Sequence, residues 1–192
     1  MLDALRRWWS GGQRPTGPVL VQPGNDRLGA DTLPTVPGDT RGGPVPDAAV
    51  ALVAKWEGFR SRPYLCPAGV PTIGYGATYY MDGKRVTLGD APLQEPDARL
   101  LLRSHLARFA GQVDAAVKVP INAGERGALV SLAYNIGIGA FRGSTLLAML
   151  NAGNRDGAAG QFARWNRAGG KVLTGLTARR AEEAAMFRGV AL

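Results

Sequence analysis

The first clear hydrophobic pattern in the chain is a helical stripe that follows Pro46. Its apolar residues recur at the spacing of one helix face: Val50, Val53, Ala54 and Phe59. Asp47 stands where an N-terminal cap is expected, so the pattern predicts an N-capped helix over residues 47–59. Glu57 falls in the last turn of this helix.

The next segment loses the helical period and is rich in Gly, Pro and Thr. It contains the sequence TIGYGATYYMDGKRVTL, in which Asp82 and Gly83 stand between two strand-like arms. An Asp-Gly pair in this position is a strong hairpin signal. We therefore expect a small β-lobe at about residues 64–90.

Beyond this lobe the pattern is helical. A long periodic segment opens at Pro96-Asp97 and stops before residue 120. Its apolar face consists of Leu101, Leu102, Leu106, Phe109, Val113, Ala116 and Val117. The next helix is expected to end at Gly137, another to begin at Ser144 as its N-cap, and the remaining chain to continue the helical pattern. One helix, a small sheet and then many helices predict an α+β, mostly helical fold.

Residues 1–46 differ from the rest of the chain. Eight Gly and seven Pro account for 15 of these 46 residues, and no apolar period is sustained. This composition predicts a tail or linker, followed by one domain over residues 47–192. Near the start, Leu2, Leu5, Trp8 and Trp9 share one face of a possible short helix. That segment is either a frayed terminus or an amphipathic segment that binds a membrane surface or a partner.

The formal net charge of +8 points to an anionic partner. A nucleic acid, a lipid surface or an acidic polymer would satisfy this charge. We see no nucleic-acid recognition motif, so no nucleic acid is expected. A single cysteine excludes an intramolecular disulfide, and one Cys with one His makes a metal site hard to build. We therefore expect no metal and no cofactor.

No run of apolar residues approaches the roughly 18 that span a bilayer. The start of the chain also lacks the apolar core of a signal peptide. The chain is therefore expected to be made and kept in the cytoplasm. If its target lies outside the cytoplasm, another factor must let the chain cross the membrane.

Three polar residues at and after the predicted helix end are candidates for chemistry. Glu57 lies nine positions before Cys66, the only cysteine, and Thr72 follows Cys66 by six positions. Glycosidic cleavage needs a carboxylic acid that protonates the leaving oxygen and a second polar group that manages charge or water on the other side. A helix end that faces a β-lobe supplies such a cleft. By spacing alone, a Glu at a helix end is most often a solvated surface residue.

Glu57, Cys66 and Thr72, followed by the sequence IGYG, resemble the phage-type lysozymes, glycoside hydrolase family 24, whose catalytic trio is Glu, Asp or Cys, and Thr. The resemblance continues through LAYNIG, FRGSTLL and LNAG in the middle of the chain. It extends through WNRAGGK and GLTARR near the end, so that it covers residues 47–190 in order. One departure is Ala77, which stands where many members have His.

The resemblance implies hydrolysis of the β-1,4 bond between N-acetylmuramic acid and N-acetylglucosamine in peptidoglycan, with Glu57 as the general acid. For Cys66 three alternatives stay open: a small buried side chain, a group that holds the attacking water together with Thr72, or a thiolate nucleophile. We favour water positioning, which inverts the anomeric configuration, because no cation beside Cys66 is evident that would stabilise a thiolate. Thr72 either binds this water or packs as a strand residue.

The resemblance also aligns Thr78, Tyr134 and Ser144 with substrate-contacting positions of the family. A strand residue, a packing residue and a helix cap explain these three equally well. His105 has the helical spacing of a surface or boundary residue and is not expected to take part in catalysis.

Together these features favour an endolysin, a muramidase that is made in the host cytoplasm and released by a holin to lyse the cell. A lytic transglycosylase and a non-enzymatic cationic protein that binds walls or membranes are the alternatives. Peptidoglycan is the expected partner, and the protein is expected to be a monomer. Residues 155–192 hold seven Lys or Arg and three acids. This basic segment either attracts anionic wall polymers or a membrane surface, or is a solvated helix face.

Overall fold

The computed structural model describes residues 38–190, which form one helix, a small antiparallel sheet and then a body of helices. The predicted α+β class is therefore confirmed. The helices are α1 Asp47–Glu57, α2 Glu95–Ala116, α3 Ala123–Ile136, α4 Ile138–Arg142, α5 Thr145–Asn151, α6 Arg155–Gln161 and α7 Thr174–Phe187. The strands are β1 Arg60–Leu65, β2 Pro71–Gly74, β3 Arg167–Ala168 and β4 Lys171–Val172. A 3-10 turn, Phe162–Trp165, follows α6.

Helix α1 ends two residues earlier than the sequence predicts. Gly58 has a φ of +71°, and its N–H closes the last turn on a carbonyl four residues back at 3.1 Å. Glycine adopts this conformation without steric strain. Phe59 therefore lies outside the helix and is 37% exposed, so its predicted place in the apolar stripe was wrong. The predicted cap was also wrong: Pro46 holds the cap position without a side-chain hydrogen bond, and Asp47 pairs with Arg103.

The β-lobe follows this stop directly. β1 and β2 pair antiparallel, with Tyr64 opposite Thr72. Beyond β2 the chain reverses in a tight bend, where Ile73 and Ala77 exchange both backbone hydrogen bonds at 2.9 Å. Gly74 in this bend has a φ of +63°, and a Cβ there would lie 3.1 Å from a side-chain carbon of α2. The bend therefore seats the lobe closely against α2.

The predicted Asp82-Gly83 turn is present, but its arms are short. Gly83 has a φ of +85°, and a 2.8 Å backbone hydrogen bond closes the loop. The arms meet in one isolated bridge between Tyr79 and Arg85, so they do not form continuous strands.

Helix α3 lies at the centre of the helical body. Asn122 and Glu125 form a reciprocal capping box at its start, and the helix stops at Gly137 as predicted. A Cβ at Gly127 would lie 3.1 Å from side-chain atoms of both α1 and α7. The missing side chain therefore lets α1 and α7 approach α3 closely. These three helices carry one side of the candidate site.

One pair of strands was not predicted. The sequence WNRAGGKV was expected to continue a helix, but β3 and β4 form a hairpin around Gly169 and Gly170. These glycines have φ values of +56° and +77°, which suit a two-residue hairpin turn and not a helix. The backbone N–H of Leu173 donates to the Asn166 carbonyl at 2.9 Å and closes the base of the hairpin directly before α7.

Residues 39–45, which the sequence assigned to the tail, contact the helical body. The backbone N–H of Thr40 donates to the carbonyl of Ile121 at 2.9 Å, and the carbonyl of Pro44 accepts from Arg126 at 2.7 Å. Val45 is buried. The packed part of the chain therefore begins before the boundary expected at residue 46. The amphipathic segment expected near the N-terminus lies outside the described residues.

Candidate active site

Glu57 lies at the C-terminal end of α1, where Gly58 turns the chain toward β1. Its side chain is 23% exposed. Its Oε1 accepts a hydrogen bond from Nη1 of Arg179 at 2.9 Å, and Arg179 is 1% exposed. Arg179 belongs to α7, so this ion pair joins α1 to the last described helix. The Glu57 carboxyl group is therefore held from the interior and remains partly open to solvent.

Arg179 is fixed in turn by a buried acid. Its Nε donates to Oε1 of Glu183, one helical turn further along α7, at 3.2 Å. The hydroxyl of Ser131 in α3 donates to the same oxygen at 2.6 Å. Burial by itself lowers the pKa of Arg179, but the charges of Glu57 and Glu183 outweigh burial and raise this pKa. Arg179 therefore stays a cation and orients Glu57.

Arg180 adds a second buried cation to this network. Its Nε lies 3.1 Å from Oε2 of Glu183, without the alignment of a hydrogen bond, and its Nη2 donates to Oδ1 of Asn135 at 2.7 Å. Burial lowers the pKa of Arg180 to about 10, with Glu183 opposing the shift, so the guanidinium is charged at neutral pH. Glu183 therefore lies between two guanidinium groups that share its charge.

Cys66 and Thr72 lie on the two arms of the β1–β2 hairpin. The backbone N–H of Cys66 donates to the Val70 carbonyl at 3.0 Å, and the Thr72 hydroxyl donates to the same oxygen at 2.9 Å. Thr72 is 3% exposed, and Cys66 is partly buried. Side chains alternate along strands, so the register that pairs Tyr64 with Thr72 places both of them and Cys66 on one face. Leu65, which lies between Tyr64 and Cys66 in sequence and so belongs to the opposite face, is exposed.

Tyr134 relates this hairpin to Glu57. Protein atoms enclose its hydroxyl, although the residue as a whole keeps some exposed area. Burial raises the pKa of this hydroxyl, the Glu57 charge raises it further and the Arg179 charge opposes the rise; Tyr79 and Tyr64 add smaller effects. The ring of Tyr134 packs edge-on against Phe109 of α2, with centroids 5.2 Å apart. The Glu57 charge and Tyr64, the strand partner of Thr72, both act on the Tyr134 hydroxyl, which relates the helical and hairpin parts of the candidate site.

The other two predicted substrate contacts have evident structural roles. Ser144 is buried, and its hydroxyl accepts from the backbone N–H of Leu147 at 3.1 Å and donates to the Phe141 carbonyl at 2.7 Å. It therefore caps α5, as its position predicts. Thr78 is partly buried, and its carbonyl accepts from the backbone N–H of Val86 at 3.0 Å. A contact of either residue with a sugar stays a prediction.

His105 is not the surface or boundary residue that its spacing predicts. It is 6% exposed, its Nε2 lies 3.1 Å from the Tyr79 carbonyl oxygen, and the two rings are 4.5 Å apart between centroids. A carbonyl only accepts, so Nε2 carries the proton. Burial lowers the pKa of His105, the hydrogen bond opposes this shift, and the charge of Arg108 lowers the pKa further. His105 therefore ties α2 to the β-lobe as a neutral residue.

The ion network of α7 is the part of the site that sequence reasoning missed. The buried face of α7 consists of Leu176, Arg179, Arg180, Glu183, Ala184, Met186 and Phe187. Charged residues at the spacing of an apolar stripe are the signal that could have revealed it, because buried charges require partners. Two of the seven basic residues in the segment 155–192 are therefore buried, and they do not belong to a solvated basic face.

Within residues 38–190, no group of three or more His, Cys, Asp or Glu side chains could hold a metal ion. Over the same range, none of the helices is long and apolar enough to cross a membrane.

Comparison with known families and proteins gives a consistent result. The family model described as phage lysozyme matches residues 54–183. The endolysin of Bacillus phage B103 is 40% identical over 148 residues, which cover 74% of this chain and 53% of that protein. The endolysin of Acyrthosiphon pisum secondary endosymbiont phage 1 is 37% identical over 147 residues, covering 74% of this chain and 97% of that protein. The chain therefore spans about half of the first relative and nearly all of the second.

Solved structures agree with this match. A mutant of P22 lysozyme has a TM-score of 0.70 and 34% identity, covering 76% of this chain and 98% of that chain. The muramidase domain of SpmX from Asticaccaulis excentricus has a TM-score of 0.65 and 33% identity, covering 74% and 96%. The fold predicted from the sequence resemblance is therefore confirmed.

Proposed function

Because this chain belongs to the phage lysozyme family, we propose that it is a muramidase that hydrolyses the β-1,4 bond between N-acetylmuramic acid and N-acetylglucosamine in peptidoglycan. The observation that carries the proposal is the partly exposed Glu57 carboxyl group, held by a buried arginine at 2.9 Å. Such a carboxyl group is positioned from one side and reachable from the other. This meets the positional requirement of a general acid for glycosidic cleavage.

Glu57 protonates the glycosidic oxygen as the bond breaks, and a water attacks the anomeric carbon from the opposite face. Thr72 suits the role of water holder because its single hydroxyl proton is engaged by the Val70 carbonyl. Its oxygen can then accept a hydrogen bond from the water, which leaves a water lone pair for attack. Cys66 on the same face of the hairpin is the second group near this water.

The role in nature that fits the chain is that of an endolysin. Two of its relatives, from Bacillus phage B103 and from Acyrthosiphon pisum secondary endosymbiont phage 1, carry that name. We propose that this protein acts on the host wall as a monomer, after holin-dependent release from the host cytoplasm. Peptidoglycan is its partner in this role.

The test of the proposed function is product analysis on purified peptidoglycan. Glu57→Gln should lower the cleavage rate by at least about 100-fold while the circular dichroism spectrum stays unchanged. Glu182→Gln is the matched control, because Glu182 lies in α7 near α1 but binds Lys55 and Trp56 on the surface. Reducing muramic acid ends are expected. Anhydro-muramic ends would identify a transglycosylase, and killing without any cleavage would identify a cationic binder.

The chemistry of Cys66 needs a separate experiment. NMR of the first product should show the α anomer if a water held by Cys66 and Thr72 attacks directly. A β product would instead indicate a covalent thioglycoside intermediate on Cys66. If Cys66→Ala retains full activity, Thr72 alone holds the water.

A further inference from the structure

Two arginines stack on tyrosines beside the proposed site. The guanidinium of Arg60 in β1 lies over the ring of Tyr64 at 4.4 Å from its centroid. The guanidinium of Arg108 in α2 lies over the ring of Tyr79 at 5.4 Å. Both arginines are exposed. These are two of the four cation–π pairs within residues 38–190, one with an arginine of β1 and one with an arginine of α2.

Both pairs lie next to residues of the proposed site. Tyr64 pairs with Thr72 in the hairpin. Tyr64 and Tyr79 both influence the hydroxyl of Tyr134, on which the Glu57 charge also acts. Arg60 therefore stacks on the strand partner of Thr72. Arg108 precedes Phe109, whose ring packs edge-on against Tyr134 with centroids 5.2 Å apart.

Within residues 38–190, no acid neutralises the charge of Arg60 or of Arg108. In the part of the chain that the structure describes, no carboxylate lies within ion-pair distance of Arg60 or Arg108. Ion-paired arginines are common in the same part of the chain. A carboxylate lies within 3.2 Å of each of these arginines: Arg41, Arg99, Arg103, Arg126, Arg155, Arg179 and Arg180. An aromatic face orients a guanidinium without cancelling its charge. Its N–H groups stay available for a planar anion.

His105 makes two contacts with Tyr79, one with its ring and one with its backbone. The imidazole of His105 packs against it at 4.5 Å, and the Tyr79 carbonyl is bonded to that same histidine. His105 is buried and neutral, so it adds no competing cation beneath the ring. The platform under Arg108 is therefore fixed before any ligand arrives, which lowers the entropic cost of binding.

We propose that Arg60 and Arg108 are specificity-determining residues that bind the free carboxylates of the peptide stems carried by the glycan. This inference rests on the proposed function, because the sugars of that polymer are uncharged once the muramic acid carboxyl is joined to its peptide. A guanidinium pairs with a carboxylate through two parallel N–H groups. The enzyme then prefers glycan that carries charged stems over glycan that does not.

The experiment compares two forms of one substrate: peptidoglycan freed of other wall polymers, and the same material with its stem carboxylates converted to amides. The quantity is the ratio of kcat/KM for the charged form to kcat/KM for the amidated form. Wild type should show a ratio on the order of tenfold, since two charge-assisted contacts are lost on amidation. The double variant Arg60→Gln, Arg108→Gln should bring this ratio close to one. Arg60→Lys, Arg108→Lys should restore it only in part, because lysine lacks the planar fork.

The control removes the same number of charges elsewhere. Lys118 and Arg188 are exposed, and they follow the C-terminal ends of α2 and α7. The double variant Lys118→Gln, Arg188→Gln should keep the wild-type ratio. The proposal is overturned if this control also brings the ratio to one, since general attraction would then suffice, or if the Arg60, Arg108 variant keeps the wild-type ratio. A wild-type protein that cleaves neither substrate would instead refute the proposed function.

Discussion

The two sides of the candidate site are built in different ways. On the hairpin side, the Thr72 hydroxyl bonds to a carbonyl two residues away, and Cys66 bonds to the same carbonyl within one turn. On the helical side, Glu57 bonds to Arg179, which is 122 residues distant in sequence. The hairpin therefore carries its own geometry, whereas the position of Glu57 depends on the packing of α1, α3 and α7.

This difference has an energetic consequence. The helical side holds charges in the interior, where a partner lost from an ion pair leaves an uncompensated charge and costs several kcal/mol. The hairpin side holds neutral groups and a backbone bend, for which substitutions cost less. The helical side should therefore be the more fragile of the two.

The largest effect is expected for Glu183→Gln. Glu183 is 0% exposed and accepts from Arg179 and Ser131. Loss of its charge leaves two buried guanidinium groups undercompensated, so the free energy of unfolding should fall by about 3–5 kcal/mol. Thermal unfolding should show a loss of roughly 6–20 °C in Tm. Activity should fall as well, because Arg179 no longer has its anchor.

The neighbouring acid provides the comparison for that variant. Glu182 binds Lys55 at 2.7 Å, but Lys55 is 62% exposed. Glu182→Gln should therefore cost less than about 1 kcal/mol, as is typical of surface ion pairs. Equal losses in Tm for the two variants would contradict the distinction between the two sides.

An intermediate effect is expected for Gly74→Ala on the hairpin side. Gly74 has a φ of +63°, and the new Cβ would lie 3.1 Å from the Cβ of Ala98. The left-handed conformation alone costs about 1–2 kcal/mol for a residue with a side chain. Gly76→Ala is the control, because Gly76 has a φ of +93° and nothing within 4 Å of the added atom. Urea unfolding should show a larger loss for Gly74→Ala, and the difference measures how tightly the lobe is seated on α2.

The smallest effect concerns His105, which ties α2 to the β-lobe. Burial lowers the pKa of His105 in the folded protein below its ordinary value of 6.5, which the unfolded chain keeps. At a pH between the folded-state pKa and 6.5, the unfolded chain therefore binds more protons than the folded chain. This contribution to stability is present above pH 6.5 and is lost as pH falls through the lower, folded-state pKa. The Tm of the wild type should therefore decrease on acidification from pH 7 toward pH 5. In His105→Gln the decrease should be smaller, and identical slopes would show that His105 does not titrate with folding.

Much of the fold was predictable because its signals are local. The helix stop at Gly137, the cap at Ser144 and the Asp82-Gly83 turn each depend on a few adjacent residues, and the structure contains all three. The end of α1 was missed although Gly58 was visible, because Phe59 continued the helical spacing. The positive φ of Gly58 ends the helix there, although the apolar spacing continues to Phe59.

The sequence by itself determined the order of elements and the spacing of Glu57, Cys66 and Thr72, because strand alternation and helix period act over short distances. Only the tertiary structure decided that Arg179, Glu183 and His105 are buried. Whether a charged side chain faces water or a partner depends on which helix covers it, and that helix comes from a distant part of the chain. The free energy of such a residue therefore depends on contacts that no local pattern encodes.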